Sequence, residues 1–541
     1  MNCKVSCSFG EIVDKVTILK IKKQKVTNQQ ALFNIQTELQ LIEQDNPQLN
    51  TKDKLFDILY DTNMKLWDLE DEIRIKSYQK KYDAEYIKCA ESIHTTNDLR
   101  YKTKQKINVK YNSLIKEEKI YELTENAEND YRKLEYAKVL YTTGEYEKSH
   151  EMLKRLIIQY KDYEKCDVFY VDLLFSYCNS CSIFNSKYPF QTKLETIMNK
   201  LNLLSISEEQ KQWCKVMYVF FCLSEKNYVT SYDYLNQLDI VERNTKLNGN
   251  LIHRYNMDFF KDGDKNKTIL VYNGGGIGDG YMYARFIPII CQKFPHNNVI
   301  LISDKRTSWI YKKVFETNSR ITIKYYSDED IPHFDYHCNL VCMIKYLGYN
   351  YDTIPFYPLF KNLEVKISPL CHQVLNKIFS WKQESQKTYI FNWKGNPNNG
   401  QEMKNRKMEL ENARSLFELK SINWIIVTQE ITNEENKLLD EFDNVKYYGN
   451  ILDVNETYID TISIIRNVDG VISTDTSLLH LSANLNVTTY ALLTLGCEWR
   501  WTHDEPRTNW YPNMKLLRQK EFGKWDNVVL ELIDELKSNK V

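Results

Sequence analysis

Apolar residues recur every three or four positions through the first quarter of the chain. That spacing is typical of helices that bury one face against each other. It predicts a small antiparallel helical bundle over residues 1–122. The positions that carry the pattern are Ile12, Val16, Leu19, Leu32, Ile35, Leu39, Ile42, Leu55, Leu59, Leu66, Leu69 and Ile73.

Helical spacing continues over residues 123–258, in short units separated by turn residues. The clearest unit pairs Ala137 and Leu140 with Ser149 and Leu153, and Gly144 marks the turn between them. A weaker unit lies around residues 227–238. Small residues at such positions let paired helices approach closely, as in tetratricopeptide (TPR) repeats. Stacked pairs form a concave surface that suits a protein partner or an acceptor, and a packed spacer without a ligand is the alternative.

From residue 266 onward the pattern changes to short β-branched runs that alternate with helical segments. This alternation predicts parallel sheets covered by helices. We expect two α/β domains, at 266–382 and at 383–541. The predicted strands are 268–272, 299–303, 388–393, 424–427, 470–473 and 487–493.

Two of these strands are followed by loops that suit a ligand. A glycine-rich stretch, Asn273 to Gly280, follows the first strand, and Thr474-Asp475-Thr476-Ser477 follows the strand at 470–473. Each loop opens a helix at the carboxyl edge of a sheet, where ligands of α/β proteins bind. Free N–H groups at a helix start favour an anion. Helix capping by Asp475 or Asp279 is the alternative use of those carboxylates.

These loops and their neighbours resemble the glycosyltransferases of the GT-B fold. The likeness is carried by 475–481 (DTSLLHL), 499–501 (WRW), 510–512 (WYP), 393–397 (WKGNP) and Gly278-Asp279. The nearest resemblance is to the heptosyltransferase-like enzymes of family 9, especially those linked to tetratricopeptide repeats. It implies an α-helical N-terminal half, with a bundle and TPR-like helix pairs, followed by a GT-B fold of two facing Rossmann-like domains.

The resemblance also implies a chemistry. A sugar moves from a nucleotide-diphosphate donor to an acceptor hydroxyl with inversion, without a metal or another cofactor, in a hexosyl- or heptosyl-type reaction. Asp279 is the expected base, and Arg406 the expected cation at the diphosphate, with Lys404 or Lys407 as alternatives. The residues expected at the donor are Gly276, Gly278, Lys394, Asn396, Arg406, Lys407, Gln429, Glu430, Asp475, Thr476, Ser477, Leu478 and His480.

Several alternatives stay open at this level. His337 is a weaker candidate for the base. The acidic triplet Asp328-Glu329-Asp330 has the form of a metal-binding motif, but we interpret it as a solvated loop. The chain is alternatively a non-catalytic scaffold, or a sugar-nucleotide epimerase on the same fold. The acceptor is a glycan, a lipid-linked sugar or a protein.

Composition narrows the class of protein. The 541 residues carry a formal net charge of −1, which argues against a nucleic-acid binder. No apolar run approaches the ~20 residues of a membrane span, and the first residues lack the apolar stretch of a signal peptide. We therefore expect a cytoplasmic protein without a transmembrane segment. Its 13 cysteines are scattered, and Cys178 and Cys181 are expected to be buried thiols.

The N-terminal bundle resembles an uncharacterised helical domain family. The resemblance rests on SFGEIVDKVTILKIK, LWDLEDEIR and HTTNDLRYKTKQKIN, and it implies no chemistry. The basic residues of the last motif suggest an anion or membrane contact, but a solvated helix face is the interpretation that we favour. They are Arg100, Lys102, Lys104, Lys106 and Lys110.

Overall fold

The architecture comes from a computed structural model of the chain. It describes residues 6–81, 84–115, 130–163, 167–184, 190–235, 245–247, 250–252, 258–273, 275–325, 331–383, 386–395, 406–453 and 457–538. The described residues form two compact units. The first spans Met1–Ser180, and the second begins at Cys181 and holds the remainder. The finer division into domains at 1–122, 123–258, 266–382 and 383–541 stays a prediction.

The first unit is helical, as the sequence predicts. Its helices are α1 (Phe9–Lys25), α2 (Gln29–Asp45), α3 (Lys54–Tyr78), α4 (Ala84–Lys110), α5 (Asp130–Thr142), α6 (Tyr146–Gln159) and α7 (Val168–Cys181), the last of which ends just past the unit boundary. Helix α1 begins after Ser8, whose hydroxyl accepts a hydrogen bond from the Glu11 N–H group. Helices α1, α3 and α4 contact one another, and α1 and α3 bury five of the predicted apolar positions: Val16, Leu19, Leu55, Leu59 and Leu66.

A partly buried ion pair joins three of these helices. Asp14 on α1 accepts hydrogen bonds from Arg100 on α4 at 2.8 and 2.5 Å, one on each carboxylate oxygen. Asn63 on α3 donates to the same carboxylate at 2.8 Å. Nearby, Lys104 is buried and bonds Glu11 at 2.5 Å. The interpretation of the basic run as a solvated face is therefore wrong for Arg100 and Lys104, because acidic partners on α1 draw them inward.

The same kind of hydrogen bond from a serine side chain to a backbone carbonyl occurs in two helix pairs. In the pair α5–α6, Ser149 donates to the Ala137 carbonyl at 2.6 Å. In the second unit, Ser231 donates to the Val219 carbonyl at 3.1 Å in the same way. Each serine is buried and lies twelve residues after its acceptor. The contact fits the small-residue positions of the predicted repeats, and their assignment as tetratricopeptide units stays a prediction.

The second unit combines helices with parallel sheets. Its helices are α8 (Gln191–Lys200), α9 (Glu208–Ser224), α10 (Tyr228–Leu235), α11 (Ile277–Tyr283), α12 (Phe286–Lys293), α13 (Ser308–Val314), α14 (Met343–Leu347), α15 (Pro369–Gln383), α16 (Arg414–Phe417), α17 (Asn433–Asp440), α18 (Ile459–Asn467), α19 (Ser477–Asn484) and α20 (Asp526–Ser538). None of the described helices is long and apolar enough to cross a bilayer.

The strands of this unit form three sheets. They are β1 (Thr245–Leu247), β2 (Asn250–Ile252), β3 (Thr268–Tyr272), β4 (Asn298–Ser303), β5 (Ile321–Tyr325), β6 (Tyr336–Asn339), β7 (Lys387–Asn392), β8 (Ile422–Ile426), β9 (Val445–Tyr447), β10 (Gly470–Thr474), β11 (Thr489–Leu493) and β12 (Met514–Arg518). Strands β1 and β2 pair antiparallel where helix was expected. The dipeptide Asn248-Gly249 between them is a strong hairpin signal that the helical interpretation overlooked.

The two larger sheets are parallel throughout. The first has the order β5-β4-β3-β6, and the second has the order β12-β11-β10-β7-β8-β9. The second order equals that of doubly wound nucleotide-binding sheets. In those sheets the order in which strands are added reverses between the first and fourth strands, although all strands stay parallel. Here that reversal falls between β7 and β10, and a ligand crevice is expected outside their carboxyl ends.

Candidate functional site

A polar network ties together the carboxyl ends of the strands at the reversal point. The amide nitrogen of Asn392, at the end of β7, donates to the Ser473 hydroxyl at 3.0 Å and lies 3.5 Å from the Thr476 hydroxyl. Its carbonyl accepts from Thr428, after β8, at 2.8 Å. Asn392 was not singled out in the sequence, because its role depends on the adjacency of strands that are distant in the chain.

The network fixes the start of α19. Thr476 is the N-cap, and its side chain accepts from the Leu478 N–H group at 3.4 Å. The hydroxyl of Ser477 pairs with the hydroxyl of Tyr458 at 2.5 Å. Within the described residues, the backbone N–H groups of Thr476 and Ser477 donate no hydrogen bond. The predicted anion site therefore has two N–H donors without an acceptor among the described residues, at the expected edge of the sheet. The Leu478 N–H group, in contrast, already bonds the capping hydroxyl of Thr476.

Asp475 precedes this cap and is only 6% exposed. Among the described residues, no hydrogen bond to its carboxylate is found. A carboxylate in such a place can accept hydrogen bonds from hydroxyl groups of a ligand. Asp475 thus does not cap the helix, which the sequence left as an alternative.

Asp279 lies in the first turn of α11, after the glycine-rich loop. One carboxylate oxygen accepts from the N–H group of Gly276 at 2.8 Å, so Asp279 does cap its helix. The other oxygen accepts from Arg500 at 2.5 Å. The expected base is therefore held in two interactions, and each of its oxygens keeps a second lone pair that can accept a proton.

Arg500 follows β11 and connects the second sheet to the first, because its partner Asp279 follows β3. Burial alone lowers the pKa of Arg500, but the carboxylates of Asp279, Glu498 and Asp475 raise it above its ordinary value. The guanidinium thus stays charged. Its Nε atom is buried without a hydrogen-bond partner. Arg500 belongs to the WRW motif, yet no local sequence pattern indicates that it reaches Asp279.

His480, one turn into α19, packs against α11. A Cβ atom added at Gly278 would lie 2.7 Å from His480 Cδ2, so only glycine fits there. The Nδ1 atom of His480 lies 2.9 Å from the Tyr511 hydroxyl. Burial, and then the charges of Arg500 and Arg285, hold the pKa of His480 well below its ordinary value. The ring is therefore neutral, and Gly278 serves helix packing here.

Lys394, one of the basic candidates near the second sheet, has a carboxylate partner. Lys394 bonds Glu435 at 2.6 Å, and the Trp393 indole donates to the same carboxylate at 2.8 Å. Burial alone raises the pKa of Glu435, but these bonds lower it below its ordinary value. Lys394 is thereby held at the carboxyl end of β7, close to the reversal point.

The other predicted contacts lie on the surface or outside the described residues. Gln429 and Glu430 are exposed after β8, and Lys407 pairs with Glu409 at 2.9 Å. Arg406 is half-buried. Asn396, Lys404 and the triplet 328–330 fall outside the described residues. No described group of histidine, cysteine or acidic side chains has the arrangement of a metal site.

The weaker candidate for the base does not lie at the carboxyl end of its strand. His337 sits within β6, next to the ring of Tyr272 at 6.3 Å between centroids. Of the loop residues at the end of β3, Asp279 alone carries a carboxylate among those described. The structure thus brings Asp279, Asp475, Ser477, His480 and Arg500 together, and it leaves His337 inside its strand.

Comparisons with known proteins match two separate parts of the chain. Residues 3–131 match a family model described as a family of unknown function, DUF6165. A search of curated proteins finds no match. Among solved structures, a glycosyl transferase of family 9 from Veillonella parvula is 12% identical, with a TM-score of 0.33, over 51% of this chain and 90% of its own.

Two further solved structures match about the same share of this chain. The E. coli heptosyltransferase WaaC with ADP is 12% identical, with a TM-score of 0.31, over 50% of this chain and 98% of its own. The E. coli ADP-heptose LPS heptosyltransferase II is 13% identical, with a TM-score of 0.33, over 51% of this chain and 100% of its own. Each is a likeness at low identity, so a functional conclusion has to come from the geometry of the site.

Proposed function

We propose that the chain is a glycosyltransferase that moves a sugar from a nucleotide-diphosphate donor to an acceptor hydroxyl. The observation that carries the proposal is the start of α19. It presents unspent N–H groups at the reversal point of a doubly wound sheet, with Arg500 and Asp279 beside it. An anion-binding helix start next to a carboxylate suits the departure of a diphosphate and the deprotonation of a hydroxyl.

In the proposed reaction the acceptor oxygen attacks the anomeric carbon on the face opposite the diphosphate. The bond between that carbon and the diphosphate oxygen breaks, and the configuration inverts. Asp279 takes the hydroxyl proton. The N–H groups of Thr476 and Ser477, together with Arg500, stabilise the charge on the leaving diphosphate. No metal is assigned to this step, and a hexose or heptose is the proposed sugar.

Other contacts complete the proposal. Asp475 accepts hydrogen bonds from donor hydroxyls, and Lys394, Asn396, Gln429 and Glu430 border the nucleotide. Arg406 and Lys407 add positive charge near the diphosphate. The acceptor is a glycan, a lipid-linked sugar or a protein, and the helix pairs of the N-terminal half offer a surface for a protein partner.

Donor binding is tested by thermal stability with UDP, GDP, ADP, dTDP and CMP. A ligand that binds only the folded state at 100 times its dissociation constant adds about 2.7 kcal/mol of stability. We expect one nucleotide to raise the melting temperature and Arg500→Met to weaken that rise. Arg414→Met is the matched control, because Arg414 pairs with surface carboxylates. If no nucleotide stabilises the wild-type chain, the proposed function is wrong.

The role of Asp279 is tested by Asp279→Asn. The amide keeps the shape of the side chain but cannot take the proton. Transfer should therefore fall by at least about 100-fold, the usual contribution of a general base, while the nucleotide still binds. Release of nucleoside diphosphate with acceptor present measures transfer. A variant that keeps full transfer would remove Asp279 from the mechanism.

A non-catalytic scaffold is the second candidate, and one observation favours it. Both oxygens of Asp279 are occupied, by the Gly276 N–H group and by Arg500. In this case the nucleotide site is a ligand pocket and the helical half binds partners. Nucleotide binding without diphosphate release, with any acceptor offered, would support the scaffold over the transferase.

A further inference from the structure

A guanidinium group without a carboxylate partner is buried behind the candidate site. Arg285 lies between α11 and α12, is 0% exposed, and pairs with no acidic side chain among the described residues. It donates to the carbonyls of Met282 at 2.8 Å and Trp510 at 2.6 Å, and its Nη2 atom has no acceptor. Its charge lies 4.6 Å from the centre of the Tyr511 ring.

Tyr511 connects this charge to His480. Its hydroxyl oxygen lies 2.9 Å from His480 Nδ1. Burial raises the pKa of Tyr511 to about 12, and the charge of Arg285 opposes that rise. The side chain of Tyr511 is therefore neutral, and its hydroxyl can donate one hydrogen bond. The positive charge of Arg285 attracts the lone pairs of the oxygen and repels its proton, which favours donation from the hydroxyl to His480.

The direction of this hydrogen bond fixes the tautomer of the imidazole. A neutral imidazole has one N–H donor and one acceptor nitrogen, and the bond made by one nitrogen decides which carries the proton. If Nδ1 accepts from Tyr511, Nε2 carries the hydrogen. His480 is 2% exposed, and Nε2 has no hydrogen-bond partner among the described residues. This nitrogen lies next to Gly278, where an added Cβ would be 3.2 Å from it.

We propose that Arg285 and Tyr511 are positioning residues that hold His480 in the Nε2–H tautomer, so that it presents a fixed, uncharged N–H donor beside the first turn of α11. The ligand that suits this donor is an oxygen of the donor diphosphate, an assignment that rests on the proposed function. A neutral donor keeps its proton there, whereas a charged imidazolium would be destabilised by the two guanidinium groups.

The test is the nitrogen NMR signature of histidine in ¹⁵N-histidine-labelled, deuterated full-length protein at neutral pH. The signals of His480 are assigned by their absence in His480→Gln. We expect a protonated Nε2 and an unprotonated Nδ1 in the wild type. In Tyr511→Phe the Nδ1 partner is lost, and the signature should change to a mixture of tautomers or to the Nδ1–H form.

Tyr283→Phe is the matched control. Tyr283 is buried edge-on to Trp510 in the same aromatic pocket, but its hydroxyl has no hydrogen-bond partner. Removing that hydroxyl should leave the His480 signature unchanged. A wild-type His480 that carries its proton on Nδ1 or is charged, or a signature that survives Tyr511→Phe, would overturn the proposal.

Binding of the nucleoside diphosphate selected in the thermal experiment is the second readout. Loss of a hydrogen bond to a charged group corresponds to roughly a tenfold weaker affinity. We expect that loss in Tyr511→Phe and not in Tyr283→Phe, and equal affinities would remove the diphosphate as the ligand of His480. If no nucleoside diphosphate binds the wild type, the proposed function and this ligand both fail, whereas the NMR result alone decides the tautomer.

Discussion

Two arginines in this chain, one partly buried and one fully buried, are held in opposite ways. Arg100, in the helical bundle, spends Nε and Nη2 on both oxygens of Asp14. Arg285, in the α/β unit, donates to two carbonyls and lies against aromatic rings, and within the described part of the chain its Nη2 atom has no hydrogen-bond partner. A charge that is paired with a carboxylate holds helices together, whereas a buried charge without such a partner shifts the pKa values of neighbouring groups. The ion pair in the bundle therefore has a structural role, and Arg285 marks a candidate functional site.

The largest expected effect comes from breaking the paired charge. Arg100→Met leaves the carboxylate of Asp14, with a side chain only 4% exposed, without its cation. Loss of one partner of a buried pair costs about 3 kcal/mol. Chemical denaturation of the full chain should show this loss, with nucleotide binding unchanged. Arg285→Met should cost less, because it strands no carboxylate, and an equal or larger cost would contradict the contrast.

A smaller effect is expected from crowding the contact between α11 and α19. Gly278→Ala places a methyl group 2.7 Å from Cδ2 of the buried His480 side chain. Overpacking of this size costs about 2 kcal/mol, and it should also weaken nucleotide binding by moving His480. Gly276→Ala is the control, since its Cβ would meet only Asp279 Oδ2, at 3.7 Å. Equal losses in both variants would remove the close approach as the cause.

The smallest effect expected is a dependence of stability on pH through His480. Its pKa is held well below the ordinary value in the folded chain, so below about pH 6.5 the unfolded state takes up a proton that the folded state refuses. Stability is therefore lost as the pH falls below about 6.5, the ordinary pKa of histidine. His480→Gln should flatten this part of the pH profile in denaturation experiments. A profile that is unchanged by the substitution would place His480 in a solvated, readily protonated setting.

The predicted elements of the α/β half are largely confirmed. The strand at 268–272 is β3, and that at 470–473 lies within β10. Continuous β-branched runs and cap residues are local signals, so one sequence is enough to place them. The hairpin at 245–252 was missed because helical spacing upstream was extended across a turn dipeptide.

The candidate site was predicted only in part, because some of its contacts join residues that are far apart in the chain. That a helix begins at a sheet edge after the cap-type residues 474–477 or within them follows from local sequence. The bond from Arg500 to Asp279 joins residues 221 positions apart, and no local pattern predicts it. The same holds for Asn392, which bonds Ser473 across neighbouring strands. The roles of the donor residues, the inversion and the acceptor stay predictions.

The sequence by itself determined where the helices and strands lie and which loops open a helix at a sheet edge, because capping and apolar spacing act over a few residues. Only the tertiary structure decided which charges meet. It brought Arg500 to Asp279, placed Tyr511 against His480, and drew Arg100 and Lys104 inward to acidic partners. Such pairings depend on strand order and helix packing, which join distant parts of the chain, and the free energy of a buried charge depends on those neighbours.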